Sequence, residues 1–288
     1  MRTMLILIFA VFIVSWSSIF IRWMKDLHPL VISFYRLALS ALFLLPWAFP
    51  RFKSVRIRQK RILPYMVWAG IFLALHFFFW IDSLQKTTVG NSIFLESTHP
   101  LFALLLSMFF LKEKASKAFI PALVFGLTGM YLTVHRDIYQ NMEALSGDLM
   151  AVFSAFCIAA YLLFARKTKH QIDLLPYLVM VYSIAAMTLL PFIVLKGLSL
   201  IRISYFNFSL LLLLALGPSM IGHSLLNWAS RRMPIYKVNM ALLGEAVLAT
   251  FYAAILLNEI PSLNFYIGAI LILISIGLVF RIKTEVNI

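Results

Sequence analysis

The chain has 288 residues, of which 62% are hydrophobic and 12% charged, with 26 Phe and a mean hydropathy of +0.94. A soluble domain of this length has no interior large enough to hide that much apolar surface, so lipid must serve as its solvent. The net charge of +14 does not signal nucleic acid, because Lys and Arg stand in short clusters between apolar runs (Arg51, Lys53, Arg56, Arg58, Lys60 and Arg61 form one) and build no single basic face.

The first apolar run, Leu5–Ile21, has a lone Arg2 before it and no small-x-small cleavage site. It reads as a retained span rather than a signal peptide. No segment alternates in the manner of a barrel strand, and the runs are apolar on all sides, so helices must satisfy the backbone. The pattern predicts ten transmembrane helices near 3–23, 29–49, 62–82, 88–111, 118–136, 147–166, 174–196, 206–230, 236–257 and 262–281. With the N-terminus inside, alternate loops place 18 Lys and Arg in the cytoplasm and 6 outside, and Arg36 remains within span two. That bias predicts a multi-pass protein of the cell (inner) membrane with both termini cytoplasmic. Trp23, Trp47 and Tyr65 at span ends read as interfacial belts, and Glu113 and Glu259 as helix-end anchors or caps.

The longest polar stretch, Arg136–Asp148, divides the chain into units of five spans, 1–140 and 141–288. Five is odd, so similar halves would lie upside down relative to one another, as a 5+5 inverted repeat. A shift of 146 residues overlays Ala69 on Ala215, Ala103 on Ala249, His99 on Glu245 and Glu113 on Glu259, and brings His76 within one residue of His223. A shift of 147 matches Pro29 with Pro176 and Tyr35 with Tyr182.

An ionisable side chain at mid-bilayer costs about 2.5–3.5 kcal/mol on insertion scales, so those that are kept mark a protein-lined or aqueous interior. Span four carries Ser92, Glu96, His99 and Ala103 at helical spacing. Span eight carries Ser219, His223, Asn227 and Ser230 on one stripe. Span three offers His76, Trp80 and Ser83, and span nine holds Glu245 between Ala241 and Ala249. These stripes predict a polar cavity among spans three, four, eight and nine, closed by spans one and six through Ser15, Trp16, Ser18, Ser154 and Tyr161. The expected substrate-binding set is Trp16, His76, Trp80, Glu96, His99, Tyr161, His223, Asn227 and Glu245. Arg36 is either a structural charge paired with a carboxylate such as Glu96 or a further substrate contact.

Catalytic signatures are missing: there is no HExxH, no Gly-rich phosphate loop and no paired Asp motif. Cys157 is the sole cysteine and lies in an apolar run, which rules out an intrachain disulfide and a cysteine-rich metal site. No cofactor is implied. The expected partners are a small-molecule substrate, the lipid bilayer and, as a coupling ion, the proton.

The motifs resemble the EamA branch of the drug/metabolite transporter superfamily. In the first half they are Ser17-Ser18-Ile19-Phe20, Phe34-Tyr35-Arg36-Leu37-Ala38, His99-Pro100-Leu101-Phe102-Ala103, Leu111-Lys112-Glu113, Gly126 and Gly129. In the second they are Gly244-Glu245-Ala246, Leu257-Asn258-Glu259, Gly268 and Gly277. The family commonly has Glu-Pro in span nine, where this chain has Glu245-Ala246; Pro100 is present in the first half. The resemblance implies a ten-span inverted-repeat secondary carrier, alternating about a central cavity and exporting a small amphipathic metabolite, an amino acid or related compound. The competing reading is a non-transporting membrane protein. A scaffold would pack its polar stripes solid, whereas an intramembrane enzyme would bring catalytic groups together around a pocket.

Overall fold

The computed structural model describes residues 2–52, 59–87, 89–112, 119–134, 142–257 and 263–281. Glu113, Glu259, Lys53, Arg56, Arg58, Lys114, Lys117, Arg136 and Lys283 lie outside the described residues. All regular structure within the described residues is helical. In chain order the helices are α1 (Arg2–Val14), α2 (Ser17–Trp23), α3 (Pro29–Phe52), α4 (Gln59–Lys86), α5 (Val89–Glu96), α6 (His99–Leu106), α7 (Phe119–Val134), α8 (Met142–Lys167), α9 (Leu174–Leu195), α10 (Tyr205–Leu214), α11 (Ser224–Ser230), α12 (Ile235–Leu256) and α13 (Leu263–Arg281). π-helical stretches occupy Ser107–Leu111 and Ala215–His223.

Among the described residues, seven helical runs are long and apolar enough to cross a membrane: Thr3–Trp23, Pro29–Phe52, Ile62–Lys86, Leu145–Lys167, Leu174–Leu195, Tyr205–Ser230 and Ile235–Leu256. Three shorter apolar helices, His99–Leu111, Phe119–Gly129 and Tyr266–Val279, fall where the sequence places spans four, five and ten. Span four is short for a physical reason. Pro100 has no N–H to give the Glu96 carbonyl, and the Thr98 N–H turns back to the Leu95 carbonyl at 3.2 Å, so the helix is cut into α5 and α6.

The helices pack in a regular scheme. α3 lies along α9, α7 along α13 and α6 against α12, while α4 packs on α8 and α1 on α11 and the π-helical stretch before it. Small residues set the closest approaches. A Cβ on Gly129 in α7 would stand 2.6 Å from the Gly268 carbonyl and 2.9 Å from Ile272 Cγ1 of α13. The Ser275 hydroxyl donates to the Ala122 carbonyl across the same seam. Gly129→Ala should therefore push α7 and α13 apart and destabilise the fold by about 1–3 kcal/mol. A lowered melting temperature in detergent would show this, and an unchanged one would refute the packing described for this seam.

The turn before α3 holds a titratable cap. His28 Nδ1 accepts the Leu30 N–H at 3.1 Å, and the His28 carbonyl accepts from Val31 and Ile32. Burial, with Lys196 and Lys86 nearby against an opposing pull from Asp82, holds the imidazole pKa below its ordinary value. The neutral ring is thus the native form, and its stabilisation is fully present above about pH 6.5 and declines as the pH falls below that value toward the lowered native pKa. Loss of a cap costs about 1 kcal/mol. Melting curves between pH 8 and pH 5 should drop by about 2 °C more for the native chain than for His28→Asn, which keeps a cap acceptor that does not titrate.

Candidate functional site

Among the described residues, three of the apolar runs are interrupted within their length. Between α1 and α2 the Trp16 N–H reaches the Ile13 carbonyl at 3.3 Å, so the Phe12 carbonyl loses its helical partner and meets the Tyr252 hydroxyl at 3.5 Å. The cut between α5 and α6 falls directly after Glu96. Pro218 accompanies the π-helical stretch that ends at His223. Irregular backbone at membrane depth survives only where protein or an internal cavity surrounds it. Here it borders a small internal cavity with room for about one or two waters.

The cavity is lined by Val14 and Ser17 at the first break, His76 and Trp80 of α4, Glu96 at the end of α5, Ile158 of α8, His223 and Leu226 beside the third break, and Leu242 and Glu245 of α12. The contributing elements are those the sequence singles out. His76, Trp80, Glu96, His223 and Glu245 are brought together; Trp16, His99, Tyr161 and Asn227 lie around the cavity and not in its wall. Trp16 is turned by the α1–α2 break onto Tyr252, ring centroids 4.6 Å apart, and onto Phe20 at 5.8 Å. His99 is only three residues from Glu96, but it begins a different helix, so the spacing does not keep both on one stripe; its buried ring sits beside Asn239, with Nδ1 unpartnered. Tyr161 is fully buried and accepts a hydrogen bond from Asn227 Nδ2, which also donates to the His223 carbonyl at 2.7 Å. Ser15 and Ser18 spend their hydroxyls on the Val11 and Ser15 carbonyls, leaving Ser17 to face the cavity. Sequence reasoning missed Ser17 for lack of any signal that the first span breaks there.

The imidazoles are held in place. His76 Nδ1 lies 2.8 Å from Ser154 Oγ and 3.2 Å from the Ser154 carbonyl, and Ser154 Oγ is 3.1 Å from the His76 carbonyl. If the hydroxyl donates to that carbonyl, Nδ1 carries the ring proton and Nε2 keeps its lone pair. The His76 ring stacks on Trp80 at 6.1 Å and 5°, and the His223 ring lies 6.4 Å away. His223 Nδ1 and Trp80 Nε1 are buried without a hydrogen-bond partner.

Arg36 is fully buried but makes no ion pair with Glu96. Its Nε donates to Ser219 Oγ at 2.9 Å, its guanidinium lies 3.6 Å over the Phe77 ring, and Nη1 and Nη2 have no hydrogen-bond partner. The stripe spacing did not reveal that Ser219 and Phe77 would compete for it. Glu245 is near enough to interact electrostatically with both Arg36 and Glu96. Among the described residues neither carboxylate accepts a hydrogen bond, and the one salt bridge recorded is Lys86–Asp82 at 2.8 Å, far from the cavity on the α4 end. No group of three or more His, Cys, Asp or Glu able to hold a metal occurs among the described residues.

Polar contacts tie the C-terminal ends of α8 and α11 to their neighbours. Arg231 donates to the Ile172 carbonyl at 2.8 Å and lies 4.5 Å over Tyr177, and Arg166 reaches the Ser230 carbonyl at 3.3 Å. Trp16 stacks on Phe20 and on Tyr252, joining the first break to α12.

The profile of the EamA-like transporter family matches residues 1–135 and again 145–281. The chain belongs to the EamA-like transporter family. It is 24% identical over 286 residues to a protein of Archaeoglobus fulgidus named as an uncharacterized transporter, covering 96% of each chain. It is also 24% identical over 249 residues to the uncharacterized transporter YoaV of Bacillus subtilis, covering 86% of this chain and 85% of the other. A solved crystal structure superposes with a TM-score of 0.78 over 96% of both chains at 18% identity, and so shares the fold. This EamA protein is therefore a multi-pass membrane transporter of the drug/metabolite transporter type, acting on a small molecule in a lipid bilayer. The family is one of transporters rather than of enzymes.

Proposed function

We propose that this EamA protein is a secondary carrier with ten spans arranged as inverted halves, 1–140 and 141–288, in the cell (inner) membrane with both termini cytoplasmic. It exports a small amphipathic metabolite, an amino acid or related compound, by exposing its cavity alternately to the two sides, with the proton as coupling ion. The observation that carries this reading is the convergence of two carboxylates, two imidazoles and an indole from four helices on one internal cavity in an otherwise apolar bundle.

The helix pairing supports the inverted halves. Under a shift of five spans, α3 corresponds to α9, α7 to α13 and the α5–α6 unit to α12, and each of these pairs is in contact. The α4–α8 pair corresponds to the α1–α11 pair, which is also in contact. Such an arrangement lets one half rock against the other around a fixed midplane site. The cavity contacts are His76, Trp80, Glu96, His223 and Glu245. Tyr161 and Asn227 brace α8 against α11, Trp16 ties the first break to α12 through Tyr252, His99 supports the α5–α6 break, and Arg36 supplies the compensating charge.

A thermal-shift screen of metabolites on the purified protein, followed by flux of the hits in proteoliposomes with and without a pH gradient, tests the reading. A hit should stabilise the native chain and lose its effect in His223→Ala, while His99→Ala keeps it, because only His223 borders the cavity. Hits that bind without ever crossing the bilayer would refute the carrier, and flux indifferent to the pH gradient would refute proton coupling.

A further inference from the structure

We propose that the group this cavity recognises on its solute is a single positive charge, a protonated amine set between Glu96 and Glu245 with its apolar remainder against Trp80, Leu226 and Leu242. The inference rests on the carrier reading of the cavity and narrows its solute from amino acids to related compounds that carry an amine without a carboxylate. Three observations lead there. Both carboxylates line the cavity, and among the described residues neither is met by a hydrogen-bond donor or an ion-pair partner. No Lys or Arg lines the cavity, so nothing in its wall invites a solute carboxylate. The nearest buried cation, Arg36, is turned away onto Ser219 and the Phe77 face and is not part of the wall.

Charge counting fixes the valence. With neutral imidazoles, Arg36 stands against Glu96 and Glu245 among the charged groups within electrostatic reach at the cavity, which leaves one negative charge unmatched. A buried unmatched charge is costly, and one ammonium ion or one proton removes it. An anionic or neutral solute would leave it in place, and a dication would overshoot. The wall opposite the carboxylates suits an ammonium ion as well. The Trp80 indole, backed by the stacked His76 ring, presents a π face of the kind that attracts cations. The cavity as it stands has room for only about one or two waters, so the halves must part for a solute to enter. The apolar side chains of Val14, Ile158, Leu226 and Leu242 would then flank a hydrocarbon body, and the class is a monocationic amphipathic amine.

Three probes of one shape decide it: 2-phenylethylamine, 2-phenylethanol and 3-phenylpropionate, each tested by thermal shift on purified full-length protein at pH 7.5. The amine should raise the melting temperature by about 3–5 °C at a hundredfold excess over its Kd, and the alcohol and acid by less than about 1 °C. Glu96→Gln and Glu245→Gln should each remove the amine's shift while the folded protein remains monodisperse. Equal shifts from the acid or the alcohol, an amine shift that survives both substitutions together, or no shift from any probe would overturn the proposal. So would stabilisation by Na⁺ over K⁺ that is lost in Glu245→Gln, which would assign the carboxylates to an inorganic cation. Flux in proteoliposomes separates the two levels: an amine that binds but does not cross refutes the carrier and leaves amine recognition standing, whereas an acid that binds and crosses does the reverse.

Discussion

Glu245→Gln should abolish transport while leaving the fold intact. The two states of this side chain differ by one charge and almost nothing in shape. A contact between a carboxylate and a charged or hydrogen-bonding solute is worth about 3 kcal/mol when buried, so flux at limiting solute should fall by about a hundredfold. Stability should move the other way or not at all, because the substitution removes a charge that burial penalises and that no donor in the wall compensates. Glu96→Gln should behave alike. Comparing flux in proteoliposomes with melting curves of the same preparations makes the test. A variant that transports normally would remove the carboxylates from the mechanism, and one that merely unfolds would make Glu245 a structural residue.

Arg36→Leu should also cost about a hundredfold in flux, but with a different stability signature. The guanidinium is fully buried, fixed by one hydrogen bond to Ser219 and by the Phe77 ring, and it is the positive charge closest to the carboxylates of the cavity. Its removal leaves Glu96 and Glu245 repelling one another without compensation, so the variant should be destabilised. Adding Glu245→Gln should then restore part of the loss, with a coupling of about 1–3 kcal/mol in a double-mutant cycle. Arg36→Lys should not substitute. A compact ammonium on a flexible stem does not reproduce a planar group that donates from Nε while lying flat on a ring. Strictly additive stability effects would show that Arg36 and Glu245 do not sense each other.

Much of this molecule is legible in the letters. Apolar runs and charge clusters gave the positions of the helical segments, because hydrocarbon and interface sort residues by simple transfer cost. The elements around the cavity were legible for the same reason: His76, Trp80, Glu96, His223 and Glu245 stand out as polar or aromatic at depth. What the stripes did not carry was the local backbone. Helical spacing put Glu96 and His99 on one stripe, whereas the helix is cut between them at Ser97–Thr98, as the first span is at Ser15–Trp16. Pro100 was a readable cause of the first cut, through the missing N–H four residues after Glu96. In span nine, where Ala246 stands in place of the family's proline, α12 runs without interruption from Ile235 to Leu256. Nothing comparable marks Ser15–Trp16. For Arg36 the letters left an ion pair and a solute contact both open, and the packing offers it a hydroxyl and a ring.

The central claim is that the cavity is a passage open in turn to each side of the membrane, and accessibility from the two sides tests it most directly. Cys157 is fully buried, and Cys157→Ser gives a background without thiols. On that background Ser17→Cys and Leu226→Cys place a thiol in the cavity wall, and Phe109→Cys places one on the exposed apolar surface as a lipid-facing control. Impermeant charged methanethiosulfonate, applied to right-side-out and to inside-out vesicles, should modify both cavity thiols from either side and spare Phe109→Cys. Cavity thiols that never react from either side, or that react from one side alone under every condition, would contradict it.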